Sequence, residues 1–273
     1  MNRIILLALC GFVSAPAAAQ VVLPKASPQV SVTQQVGVTQ VTVSYHRPGA
    51  KKRTIWGKLV RYGEVWRAGA NEATTVEFDR DVTVGSKQIR KGKYALFITP
   101  KKRGAWTIIL NSDAGQWGSY AHDPKKDVAR FEVTPKRAPH QEWLQFGFQG
   151  LSDFGATLQM RWGKLAVNIP IVVDTVAHVE AGFSKAKTWR EHVNSAAWLM
   201  KNKTPKSALK HLEASIVLSA TWYNVWLKAQ ALHASGDTAA AKTSAQKALT
   251  LGKKASNFKP NDKATIEKAL ARW

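Results

Sequence analysis

Two patterns of apolar and polar positions divide the chain. From Gln29 to about Val173, short runs alternate small or β-branched residues with polar ones. VSVTQQV and VTVSYHR come first, followed by ATTVEF (73–78), KYALFI (93–98), WTIIL (106–110), VARFEV (128–133), EWLQFGF (142–148), ATLQMRW (156–162) and LAVNIPIVV (165–173). Period-two alternation puts one face of a strand in a core and the other in solvent. Turn residues separate the runs at Arg47-Pro48-Gly49, Val84-Gly85-Ser86, Lys91-Gly92, Arg103-Gly104 and Trp162-Gly163. About ten short strands at this spacing predict an antiparallel β-sandwich over 29–173, of jelly-roll, immunoglobulin-like or barrel-like type. No helix-length periodic segment interrupts them, which argues against βαβ units and a parallel sheet.

Near Val176 the texture changes, and Ala, Lys and Leu dominate. Shifting the sequence by 33 residues aligns Trp189 with Trp222, Ala196 with Ala229, Ala208 with Ala241 and Leu218 with Leu251. A period of this length with small residues at fixed places predicts stacked helical hairpins over 180–273. The second unit resembles a tetratricopeptide repeat at Trp222, Ala229, Leu232, Gly236-Asp237, Ala241 and Ala248-Leu249. The first unit has Lys203-Thr204-Pro205 at its turn instead of Gly-Asp. Residues 261–272 read as a capping helix with Asn261 or Asp262 as N-cap. So few repeats are less than a free-standing solenoid needs, so the tail is expected to dock on the β domain or to offer a groove to a protein or peptide partner.

The N-terminus changes the setting. Arg3, the apolar stretch Ile4 to Val13 and the small residues Ala17-Ala18-Ala19 form the three-part pattern of a secretory signal peptide over 1–19, with cleavage after Ala19. Residues 20–28 read as a linker. Cys10 raises a lipoprotein alternative, against which the bulky Leu9 stands. A periplasmic or secreted protein is implied. Cys10 is the single cysteine and falls within the leader, so the mature chain has no disulfide, no thiolate chemistry and no Cys-rich zinc site. Export also separates the protein from genomic nucleic acid.

Charge adds a possible class of partner. The sequence holds 40 Lys+Arg against 18 Asp+Glu, a formal net charge of +22. Basic clusters such as Lys51-Lys52-Arg53 and Lys101-Lys102-Arg103 flank turns and decorate loop tips. Such a field attracts anionic envelope polymers in a salt-dependent way, or simply keeps the surface soluble. Of the 11 Trp, Trp106, Trp143 and Trp162 read as core, and Trp189, Trp198, Trp222 and Trp226 fit the helical hairpins. Trp56, Trp66 and Trp117 lie amid loop chemistry, where an indole can serve a site.

The densest polar stretch runs from Tyr45 to Glu72. His46, Arg47, Arg53, Trp56, Trp66, Arg67, Asn71 and Glu72, with Trp117, are the candidate ligand-binding residues. The arginines suit a carboxylate or phosphate, Asn71 a ligand amide or hydroxyl, and Glu72 a general base or a counter-ion for arginine. The same residues also suit a scaffold, with Arg67 and Glu72 ion-paired under a loop. No G-x-S-x-G, H-E-x-x-H, Walker loop or dinucleotide fingerprint is present, no two histidines share a metal-motif spacing, and no cofactor is indicated.

Ser44 to Phe78 resembles the bacterial domain-of-unknown-function family 2911. The likeness rests on Arg47-Pro48-Gly49, Ile55-Trp56-Gly57 and the run from Val65 to Thr74. KGKYALFITP (91–100), WTIILN (106–111) and Gln116-Trp117-Gly118 extend it over about residues 25–173. The resemblance implies an exported β domain, sometimes with a helical-repeat tail, and no activity. Three functions follow as expectations: a non-catalytic binding or assembly module of the envelope, a hydrolase of envelope glycan or another anionic polymer using Glu72, and a non-specific polyanion binder.

Overall fold

In the computed structural model, residues 23–273 are described, and the expected leader lies outside them. The β region consists of ten strands: β1 (Gln29–Val36), β2 (Thr39–His46), β3 (Thr75–Phe78), β4 (Val82–Val84), β5 (Lys87–Ile89), β6 (Gly92–Thr99), β7 (Trp106–Asn111), β8 (Asp127–Val133), β9 (Lys136–Ser152) and β10 (Gly155–Val173). They form two open antiparallel sheets, β1-β2-β3-β6-β7-β8 and β5-β4-β10-β9. Alternation sets their inner faces. Val41, Val43 and Tyr45 of β2, Leu96 and Ile98 of β6, and Trp106, Ile108 and Leu110 of β7 share one core with Leu144 and Phe146 of β9 and with Leu158, Met160 and Trp162 of β10. Each fully buried large apolar side chain contributes about 1.5–3 kcal/mol.

The chain after β2 joins the two sheets. Leu144 donates its amide to the Pro48 carbonyl at 3.0 Å, and Ala50 donates to the Glu142 carbonyl at 2.8 Å. Beneath this crossing Trp66 stacks on Trp162 with ring centres 5.9 Å apart, and Trp56 meets Trp106 at 4.7 Å.

The strands depart from the sequence reading in two ways. The runs 156–162 and 165–173 belong to one strand, β10. Trp162-Gly163 is a bulge where the register to β9 shifts, and Gly163 takes φ +57°, a conformation open to glycine at little cost. The pair β4 and β5 was not expected. It is a hairpin of two three-residue strands joined at Gly85-Ser86, each too short to display a period. Trp143, expected in the core, is 37% exposed because Leu144 and Phe146 take the inward-facing positions of β9 and alternation puts Trp143 on the other face.

Six helices follow: α1 (Thr175–Ala181), α2 (Trp189–Lys201), α3 (Pro205–Leu218), α4 (Trp222–Ala234), α5 (Thr238–Gly252) and α6 (Pro260–Arg272). The 33-residue offset reappears in the helix starts. Thr188 and Thr221, the N-caps of α2 and α4, each close a capping box with the residue three positions on. Ala196, Ala229, Ala208 and Ala241 are all fully buried, letting the paired helices approach closely. The cap of α6 is Lys259 instead of Asn261 or Asp262: Pro260 occupies the first helical position, and the Asp262 carboxylate accepts from the Lys259 amide at 2.9 Å. The first helix, α1, extends the helical part toward the sheets. Trp198 donates Nε1–H to Asp153 in the β9–β10 turn at 3.0 Å and packs on Phe154. Among the described residues no helix is long and apolar enough to cross a membrane.

Candidate functional site

On strand β2 the alternation that sends Val43 and Tyr45 inward sends Ser44 and His46 to the outer face of the six-stranded sheet. Beside them lie Thr75 of β3 and Lys93, Ala95 and Phe97 of β6. Two loops, 65–74 and 112–126, fold over this face. Ala73, Ala95, Phe97 and Ile109 form a small second apolar cluster beneath them, with Val65 packed against it. The loops are stitched together by Ser119 Oγ donating to the Val65 carbonyl at 2.8 Å and by the Ala73 amide donating to the Gln116 carbonyl.

A buried polar network holds the 112–126 loop. Asn111, with no exposed surface, donates from Nδ2 to Asp127 at 2.8 Å and to the Asp123 carbonyl at 3.0 Å. Its Oδ1 accepts from the Asp113 amide and from Gln116 Nε2. Asp127 also accepts from Arg130 Nε at 2.6 Å and contacts His122 Nε2 at 2.8 Å. Burial pushes the Asp127 carboxyl up, but the hydrogen bonds from Asn111, Arg130 and His122 together hold it below its ordinary range. Because every Asn111 polar atom has a partner, the orientation of Gln116 is set.

Between the loops and the sheet is a cleft of about 220 Å³, lined by residues that include Gln29, Ser44, His46, Glu72, Thr75, Lys93 and Gln116. His46 is 3% exposed, and its Nδ1 lies 3.2 Å from Glu72 Oε2. Lys25 approaches the other carboxylate oxygen at 3.6 Å. Burial pushes His46 below its ordinary value; the Glu72 charge opposes this and Lys25 adds to it. Glu72 is held low chiefly by its own backbone N–H, with His46 and Lys25 assisting. At neutral pH the site therefore pairs a neutral imidazole with a carboxylate. The negative carboxylate beside Nδ1 favours the ring tautomer with its proton on that nitrogen, in which Nε2 is an acceptor.

Two buried acceptor atoms meet at this cleft with no partner, His46 Nε2 and Gln116 Oε1, and beside them Glu72 Oε2 has His46 Nδ1 as its one close polar contact. Gln116 spends its amide hydrogens on Asn111 Oδ1 and the Asp113 carbonyl, so Oε1 is the atom left over. Buried polar atoms are ordinarily paired, and leaving one unpaired costs about 1–3 kcal/mol.

The other sequence candidates are distributed differently. Arg47 Nε donates to the Leu144 carbonyl, Arg53 to the Gly49 and Ala50 carbonyls, and Arg67 to the Asn71 carbonyl at 2.9 Å. Glu72 thus pairs with His46 and Lys25 instead of Arg67. The Asn71 side chain reaches the Ser27 carbonyl at 3.4 Å, binding part of the expected linker to the loop. Trp56 and Trp66 pack against the inter-sheet core. Trp117 is 58% exposed and its backbone pairs with Glu72. Ala68 and Asn71 both take left-handed φ, +51° and +57°, so the surrounding bonds hold a strained turn that presents Glu72. Sequence reasoning missed Asn111, Gln116 and Asp127. Asn111 and Gln116 stood in the runs that carry the family resemblance, with nothing to mark them as site residues, and Asp127 had only the polar density of the segment after β7 as a signal.

A larger depression of about 420 Å³ includes Arg53, Trp56, His140 and Glu142. Its acid is already engaged, by the Lys51 amide at 2.7 Å and by His140 at 3.3 Å. Among the described residues, no group of three or more His, Cys, Asp or Glu is placed to hold a metal ion.

The sequence profile described as "Protein of unknown function (DUF2911)" matches residues 27–171, more than half of the chain. The chain belongs to this family. Searches of curated proteins and of solved structures returned no match. The DUF2911 region ends within β10, so it contains both sheets and the whole cleft, while the six helices follow it.

Proposed function

We propose that this protein is an exported, non-catalytic binding module of the cell envelope, and that the outer-face cleft between His46 and Gln116 receives a small ligand bearing hydrogen-bond donors. The observation that carries the reading is the convergence of two unpaired acceptors, His46 Nε2 and Gln116 Oε1, with the Glu72 carboxylate on one small cavity. A ligand that supplies donors relieves a desolvation cost already present in the folded protein. In this reading the two sheets act as a rigid sandwich that holds the loops, and the tetratricopeptide-like hairpins offer a second surface to a protein or peptide. The leader-like pattern at 1–19 supports export.

Hydrolysis is the weaker reading. Glu72 is the single carboxylate among the residues lining the cleft, and its proton affinity is lowered. A glycosidic acid needs the opposite shift and a second carboxylate opposite it. Specific polyanion binding at Lys51-Lys52-Arg53 is weakened because the Arg53 guanidinium is spent on backbone carbonyls.

The test is a fragment screen of the full chain read by backbone amide shifts. Neutral donor fragments such as urea and ethylene glycol should perturb residues around Ser44, Thr75, Lys93 and Gln116. Perturbation confined to the Arg53 depression or to the helices contradicts the reading.

A further inference from the structure

We infer that the ligand of the outer-face cleft is a neutral sugar ring, held by its hydroxyls on the His46–Glu72–Gln116 acceptors and stacked on Trp117. The inference rests on the binding reading above and adds the chemical class.

Charge removes two alternatives. An amine or guanidinium would supply donors, but it would have to enter beside Lys25 and Lys93 on a protein of net charge +22. A carboxylate or phosphate would suit those lysines, yet it brings acceptors to a wall of acceptors and meets the ionised Glu72. A neutral polyol escapes both penalties. Its adjacent hydroxyls donate to the three acceptors, and their oxygens accept from Lys93, Ser44 and Gln29 on the same walls. At about 220 Å³ the cavity is smaller than the few hundred Å³ of a typical small-molecule pocket, so it suits one ring with the remainder of a chain outside.

The second, independent observation is aromatic. Trp117 forms an antiparallel bridge with Glu72 and is 58% exposed. Paired residues project to the same side, with Cβ atoms roughly 5 Å apart. The indole therefore springs from the cleft edge next to the carboxylate. A large aromatic left in water beside a polar cleft is an unspent apolar surface, and its negative ring face attracts the weakly positive C–H face of a pyranose. Donor-hungry walls below and a flat apolar plate at the rim match the two faces of a sugar.

The experiment is a titration of the full chain with glucose, N-acetylglucosamine and cellobiose, with ethanolamine, urea and acetate as non-sugar probes, followed by isothermal calorimetry and ligand-observed NMR. Trp117→Ala, Trp117→Phe and Glu72→Gln are compared, and both sites are exposed enough to leave the fold intact. The expected result is saturable binding of a neutral sugar at millimolar concentration. Trp117→Ala should weaken it roughly tenfold, about 1.4 kcal/mol, while Trp117→Phe retains most of it and Glu72→Gln also weakens it. If sugars fail while urea or ethanolamine binds and is lost in Glu72→Gln, the sugar assignment falls and the cleft reading stands. If sugar binding is the same in Trp117→Ala, the platform falls. If no probe binds, both readings fall.

Discussion

His46 Nδ1 and Glu72 Oε2 lie 3.2 Å apart, one at the end of strand β2 and the other in the strained loop before β3. The contact is electrostatic more than geometric, since Oε2 has no aligned hydrogen bond. Its consequence is a directional one. The Glu72 charge raises the His46 proton affinity against the larger effect of burial. Glu72→Gln should therefore move the His46 pKa further below its ordinary value of about 6.5. A histidine-selective NMR titration reads this, and an upward movement contradicts the assigned pair.

Asn111 offers a test of what holds the covering loop. Replacing it with Leu leaves Asp127, the Asp113 amide and Gln116 each short of a partner in a buried setting. A loss of about 1–3 kcal/mol is expected from chemical denaturation. Backbone shifts should change most along 112–126. An unchanged midpoint would mean that the network does not hold the loop.

The structure also explains which parts of the molecule were legible beforehand. β2 was visible because Val41, Val43 and Tyr45 alternate with polar residues, and the pairing of Trp189 with Trp222 displayed the helical offset directly. β10 was divided at Trp162-Gly163 because a glycine after a large residue reads as a turn, whereas its φ of +57° serves a bulge inside one continuous strand. His46 and Glu72 could be nominated because they lie on one polar stretch. Gln116 could not, because it reaches the cleft through the fold of a distant loop. Its orientation depends on a register shift next to Asn111, and no local pattern encodes that shift.

A second buried histidine pair gives a pH dependence. His192 of α2 and His211 of α3 face each other with Nδ1 atoms 3.2 Å apart, beneath Phe183. One nitrogen must donate and the other accept, and burial lowers the proton affinity of both. Around them, Glu191 favours the charged form of His192 and Glu180 that of His211, while Lys210 opposes it. Because the folded values lie below the unfolded value of about 6.5, the unfolded chain binds more protons on acidification. Stability of the helical part is thus full above that pH and is lost as pH falls below it. Thermal unfolding followed by circular dichroism should show a lower midpoint at pH 5 than at pH 7.5. His211→Leu should flatten this slope; an equally steep slope would assign it elsewhere.

The junction between sheets and helices is held at Trp198, through Asp153 and Phe154. Trp198→Ala removes both contacts at once and should speed limited proteolysis between β10 and α2 without lowering the stability of the β region. Equal cleavage rates would show that α1 alone secures the junction.

The acceptor character of His46 Nε2 underlies the whole account of the cleft, and nitrogen-15 NMR of the histidine rings measures it directly. At neutral pH we expect a neutral His46 ring with its proton on Nδ1 and a bare Nε2, whose resonance moves when a neutral sugar saturates the protein. A proton on Nε2, or a doubly protonated ring at that pH, would contradict it.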